Sequence, residues 1–134
     1  MAQRARSVEQ EAEGESMAKF RFQDLEIWQH AIEIGDKLFD IADELEQRKL
    51  FRFAEQLRGA GMSMSNNIAE GSGSTSKNDF RQFLNIARRS TFENANILIL
   101  LSRKKLLEEK DMNDLLEKLD VLSRQITSFQ RSLK

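Results

Sequence analysis

Cysteine, proline and tyrosine are absent from the 134 residues, and histidine and tryptophan occur once each. Each absence closes off a class of protein. Without cysteine there is no disulfide framework and no thiolate zinc site, and the composition suits a reducing cytoplasm. Without proline, and with only 6 glycines, few tight turns can be built, so long elements joined by short links are expected. β-Branched residues are sparse apart from isoleucine, which argues against strands. No apolar run reaches the ~18 residues that would suggest a membrane span. Arg4 and Arg6 are followed by no apolar stretch, so no secretory leader is expected. The one histidine, His30, has no second metal-type ligand patterned with it and reads as a surface or rim residue.

What the chain does contain is helix-forming: Leu, Glu, Arg, Lys, Gln and Ala dominate. The length is that of one domain. Residues 1–18 carry Glu9, Glu11, Glu13 and Glu15 and only Val8 and Met17 as large apolar residues. That is too little to offset the entropy of ordering, so a disordered tail is expected ahead of a folded domain over 19–134. Helix 1 is predicted from about Gln23 to Glu46, with Leu25, Trp28, Ile32, Phe39 and Ala42 on one stripe and Ile27, Ala31, Ile34, Leu38, Ile41 and Leu45 on another. So wide an apolar face suits a bundle core, or a core plus one edge packed on another subunit. After a link at 47–50, helix 2 is predicted over Phe51–Glu70. Gly59 and Gly61 each cost it about 1 kcal/mol relative to alanine, which calls for close approach of another backbone. Gly71 suits the left-handed position that ends a helix. Ser76 and Asp79 look like the cap of helix 3, predicted over Lys77–Lys105. Helix 4, Lys110–Leu133, carries a regular stripe through Met112, Leu115, Leu119, Leu122, Ile126, Phe129 and Leu133. Four helices of ~30–43 Å with short loops make an all-α, antiparallel up-down four-helix bundle.

The net charge of −1 hides an asymmetry. Residues 9–46 hold 12 Asp/Glu against 3 Lys/Arg, whereas residues 48–105 hold 11 Lys/Arg against 4 Asp/Glu. Either the basic half meets an anionic partner, or neighbouring helices and subunits attract one another.

The segment Gln56–Gly71 is the least ordinary stretch, small and polar between apolar helices. In an antiparallel hairpin, Asn67 and Glu70 should face Phe80 to Phe83, while Ser90 and Glu93 should lie opposite Ala60 to Met64. These read as two polar clusters along one groove that fix register or subunit docking, with Asn67, Glu70, Gly71, Ser90 and Glu93 as the structural polar motif. Glu70 and Glu93 have no nucleophile or histidine beside them, and the Glu-x-x-His pattern of di-metal bundles is absent. The run from Gly71 to Lys77 lacks both the preceding strand and the Gly-Lys-Ser/Thr ending of a phosphate-binding loop. No catalytic, metal or cofactor residue is assigned, and no enzymatic activity is expected.

In order, the chain shows Phe22-Gln23-Asp24-Leu25-Glu26-Ile27-Trp28-Gln29, Gln56-Leu57-Arg58, Ser65-Asn66-Asn67-Ile68-Ala69-Glu70-Gly71, Phe80-Arg81-Gln82-Phe83-Leu84-Asn85-Ile86-Ala87 and Ser90-Thr91-Phe92-Glu93. Together these resemble the four-helix-bundle proteins first noticed in intervening sequences of bacterial 23S ribosomal RNA genes, over roughly residues 20–106. Similar bundles include the accessory protein of diversity-generating retroelements, a ring of five that binds a reverse transcriptase and nucleic acid. The resemblance implies a homopentameric ring, no established catalysis and an RNA-linked role. The chain departs from the pattern in two ways. It lacks the prolines that many members carry in the first interhelical loop and before the Asn-Ile-Ala-Glu-Gly motif. It is also near neutral, where the retroelement proteins are strongly basic.

Two functions are expected to compete. In one, the protein is an oligomeric nucleic-acid-binding or scaffold protein of the cytoplasm, contacting RNA or DNA phosphates through Arg52, Arg58, Lys77, Arg81, Arg88 and Arg89 on helices 2 and 3. The same arginines would otherwise pair with the acidic helix 1 of a neighbour. In the other, it is an adaptor that binds a reverse transcriptase through apolar and shape contacts.

Overall fold

The structure is a computed structural model that describes residues 18–134; the expected tail over 1–18 lies, all but its last residue, outside the described residues. After a single 3-10 turn at Arg21–Asp24 come four helices: α1 Glu26–Gln47, α2 Phe51–Ser72, α3 Lys77–Arg103 and α4 Glu109–Ser132. No strand occurs among the described residues. Each helix packs on its sequence neighbour and α4 returns to α1, while the α1/α3 and α2/α4 diagonals bring no Cα atoms within 8 Å of each other. This is the expected antiparallel up-down bundle. Among the described residues no helix is long and apolar enough to cross a membrane.

The core is the seam that the helical periodicity marks. Leu38, Leu57, Ile68, Leu84, Leu98, Leu119, Leu122 and Ile126 are fully buried. Burying each such side chain contributes ~1.5–3 kcal/mol. Ser76 caps α3 as expected, its Oγ accepting from Asp79 N at 3.0 Å.

Three local expectations are corrected. Helix α1 does not include Gln23 and Asp24, because Leu25 is extended and the residues before it close on themselves. There Phe20 N donates to Gln23 Oε1 at 2.8 Å, Gln29 Nε2 donates to Gln23 O at 2.9 Å, and the Phe22 ring sits 5.1 Å from Trp28. Gly71 is helical, not left-handed, since no glycine among the described residues has positive φ. It is needed for space: a Cβ there would lie 2.7 Å from Phe83 Cβ and 2.8 Å from Phe80 Cδ1. Of the two mid-helix glycines, a Cβ added at Gly61 would lie 3.3 Å from Leu38 Cδ1, and one at Gly35 on α1 would lie 3.7 Å from Gly61 O, whereas a Cβ at Gly59 would meet nothing within 4 Å. The left-handed positions belong instead to Lys49 and Lys105, φ 65 and 63, which end α1 and α3. Leu50 N returns to Leu45 O, and Leu106 N to Leu101 O, a Schellman pattern at both ends.

The α1 stripe through Trp28, Ile32 and Phe39 is less open than the width of the apolar face suggests. Trp28, Ile32 and Phe39 are half-buried. The exposed large apolar side chains are Phe51 and Met62 on α2, Ile86, Phe92, Ile99 and Leu100 on α3, Val121 on α4, and Phe20. Helices α1 and α4 touch least of the adjacent pairs. They splay to leave a groove of about 1260 Å³ with Ile34, Ile41, Leu115 and Val121 in its lining. His30 spans the two helices, its Nδ1 donating to Gln125 Oε1 at 2.8 Å, and so sits at the rim as its sequence context suggested.

Candidate polar ladder and nucleic-acid interface

The α2–α3 hairpin turns its small and polar residues into one continuous ladder. Asn67 Nδ2 donates to Ser63 O at 2.8 Å and to Ser63 Oγ at 3.0 Å. Ser63 Oγ and Ser90 Oγ lie 2.7 Å apart. Ser90 Oγ donates to Ile86 O at 3.0 Å, which spends its proton, so Ser63 donates to Ser90. Asn94 completes the ladder, with Nδ2 2.8 Å from both Ala60 O and Ser90 O. Ser90 therefore lies opposite Ala60 to Met64, as the antiparallel count predicts. The expectation of two separate clusters is corrected, because Ser63 joins Asn67 to Ser90.

Glu70 and Glu93 take no part. Both are exposed, and neither pairs with another described residue. The carboxylates point outward while the short side chains occupy the seam, since only Ser, Gly and Asn fit where the backbones come close. Asn94 is the member that periodicity alone does not promote. It is fully buried, and its Oδ1 has no partner, an omission that costs ~1–3 kcal/mol. Its signal in the sequence is its place on the core stripe between Ala87, Thr91 and Leu98. The serine protons are committed along the ladder with no base beside them, so the arrangement fixes helix register and does not activate a nucleophile.

The six cations expected to share one surface do not. Arg58 grips α1 of its own chain, with Nη2 2.7 Å from Asp43 Oδ1 and Nη1 2.6 Å from Glu46 Oε1. Hydrogen bonds to Asp43, then to Glu46, hold its guanidinium above its ordinary pKa. Arg81 donates to Leu133 O at 2.6 Å and closes the end of α4, while Gln130 Nε2 returns to Arg81 O. Arg88 lies 5.2 Å over the Phe92 ring. Arg52, Lys77 and Arg89 are exposed and make no ion pair among the described residues. Arg52 and Lys77 lie at opposite ends of the α2–α3 hairpin.

A denser basic site lies at one end of the bundle. The ladder pairs Ala60 with Asn94, and the same register continued brings Arg52 level with Ser102. Arg48 and Lys49 end α1, Arg52 opens α2, and Arg103, Lys104 and Lys105 end α3. Arg48 and Lys105 line one shallow dip together with Glu108 and Glu109. None of these six cations makes an ion pair with a described residue. Cations at the carbonyl ends of α1 and α3 each gain ~0.3–1 kcal/mol from the helix dipoles. The sequence signal is two Lys-Leu helix endings, Arg48-Lys49-Leu50 and Lys104-Lys105-Leu106, which only the fold brings to the same end.

The family model for the 23S rRNA-intervening sequence protein matches residues 23–128. A crystal structure from Bacteroides thetaiotaomicron, of a protein with unknown function from the S23 ribosomal protein family, superposes with a TM-score of 0.75 at 21% identity. It covers 79% of this chain and 99% of its own. No curated protein matches the chain. At that identity the superposition establishes the fold, while the family model spans most of the bundle: the chain belongs to the 23S rRNA-intervening sequence protein family.

Proposed function

We propose that this protein is a non-catalytic, oligomeric four-helix bundle of the cytoplasm that binds nucleic acid through the basic ends of α2 and α3. The observation that carries the reading is the cluster of Arg48, Lys49, Arg52, Arg103, Lys104 and Lys105, six cations at one end with no carboxylate partner among the described residues. Unpaired cations at this density attract a phosphate backbone and release its counterions, which gives affinity without base readout. The RNA-linked role that the family resemblance implies makes RNA the first probe. The ladder supports a non-catalytic reading, because its hydroxyl protons are spent, Ser63's on Ser90 across the two helices and Ser90's on Ile86 O within α3.

Assembly is part of the same reading. The resemblance implies a ring of five, and exposed Met62, Ile86, Phe92, Ile99 and Leu100 leave apolar surface for a neighbour to cover. The adaptor alternative is favoured if a reverse-transcriptase gene flanks this one.

The test is fluorescence anisotropy with a labelled single-stranded RNA. Six phosphate contacts give a slope of about −4 in log K against log salt, so affinity should fall roughly 300-fold between about 50 and 200 mM. No binding at about 50 mM salt would remove the proposal.

A further inference from the structure

Two surfaces of this chain are complementary, and neither is used within it. The first is the groove between α1 and α4. Glu33, Asp36, Asp40 and Glu44 line it from α1, and Asp111, Asp114 and Glu117 from α4, against only Lys37 and Lys118. Lys110 meets Asp114 at 3.3 Å from the exposed edge. Ile34, Ile41 and Val121 contribute its apolar part, and Val121 is 45% exposed. The groove is therefore greasy at its base and strongly anionic along its walls.

The second surface is the outer face of α3. Arg88 and Arg89 sit there with Phe92, 59% exposed, and Ile99, 42% exposed. These residues recur at helical spacing along a face that no other helix of the chain covers. From Arg88 to Ile99 the stripe runs ~17 Å, and from Glu33 to Glu44 the α1 wall of the groove runs the same ~17 Å. A cationic, apolar ridge thus has the length and the opposite charge of an anionic, apolar trough.

We infer that the α3 ridge of one copy seats in the α1–α4 groove of the next. This rests on the assembly part of the proposed function and specifies its contact. Helices α1 and α3 are diagonal in the bundle, so ridge and groove face different directions. The contact is head-to-tail, and it closes into a ring if the rotation allows or runs on as a filament if it does not. Phe92 and Ile99 supply the apolar burial, and Arg88 and Arg89 select the acidic groove over other surfaces. It also gives Arg88 and Arg89 a role apart from the basic end, which stays free for nucleic acid.

The experiment is light scattering on the full chain and three variants of it at micromolar concentration, with helical content followed by circular dichroism. Arg88→Glu/Arg89→Glu should drop the mass from an oligomer to a monomer. Asp40→Lys/Asp114→Lys should do the same. The chain carrying all four changes sets an anionic ridge against a groove whose seven acids and two lysines have become five and four, with the new lysines at its middle, and it should recover assembly lost in Arg88→Glu/Arg89→Glu, which no merely unfolded variant would do. An unchanged oligomer mass in both double variants overturns this contact and leaves assembly itself standing. A four-change chain that stays monomeric, while folded, also overturns it. A monomeric wild-type chain ends the assembly reading as well.

Discussion

Replacing Gly71 and Gly59 by alanine should move stability in opposite directions, although both glycines lie in the same helix. At Gly71 the added Cβ would lie 2.7 Å from Phe83 Cβ, against the ~3.5–4.0 Å of an ordinary carbon–carbon contact. Phe83 Cβ is fixed to the α3 backbone, so the two helices must part and the buried Phe80 ring must turn. Overpacking of that kind costs ~1–3 kcal/mol, and the rigid neighbour puts this site near the upper figure. Alanine's helix preference returns about 1 kcal/mol, leaving a net loss of about 2 kcal/mol. At Gly59 nothing lies within 4 Å of the new Cβ, so only the helix preference acts and Gly59→Ala should gain about 1 kcal/mol. The two variants should therefore differ by about 3 kcal/mol, or roughly 9–15 °C in Tm for a domain of this size. Urea unfolding followed at 222 nm measures it directly. Equal stability of the two variants would refute the packing argument, and a stabilised Gly71→Ala would refute it outright.

Further outcomes follow from the same contacts. Ser76→Ala should lose about 1 kcal/mol by removing the acceptor of Asp79 N, while Ser76→Asp should hold wild-type stability, both read from urea midpoints. Asn94→Leu should leave stability within about 1 kcal/mol of wild type, because it removes the unpartnered Oδ1 along with the two donated bonds; Asn94→Ala should cost ~2–4 kcal/mol through the cavity. Arg58→Ala should lower Tm at low salt, and the gap to wild type should narrow as sodium chloride is added, since its partners Asp43 and Glu46 are exposed.

The parts of this fold that periodicity governs could be read from the chain. Leu115, Leu119, Leu122 and Ile126 announce a buried stripe, and Ser76 with Asp79 announces a cap, because these depend on spacing along one helix. Gly71 could not be read correctly. A glycine near a helix end serves equally for a left-handed turn and for a close neighbour, and only the position of Phe83 decides. Arg58 illustrates the same limit for charge. Its sequence neighbourhood is basic, yet Asp43 and Glu46 reach it across the α1–α2 crossing. The basic end was hidden for a related reason: Lys49 and Lys105 are far apart in sequence, and each looks like an ordinary helix ending until antiparallel pairing sets them at one end. The polar ladder was half legible, with Ser90 placed correctly and Glu93 wrongly included, since a helical count gives the level of a residue more reliably than the side it faces.

If six cations at the end of the bundle grip phosphates, and Arg58 and Arg81 only hold helices together, the salt slope of RNA binding will separate them. Lys104→Glu/Lys105→Glu should flatten log K against log salt by about 1.4, or ~0.7 for each lost phosphate contact, and Arg58→Ala should leave it unchanged. A slope that survives the loss of Lys104 and Lys105, or that falls as far with Arg58→Ala, would contradict the account.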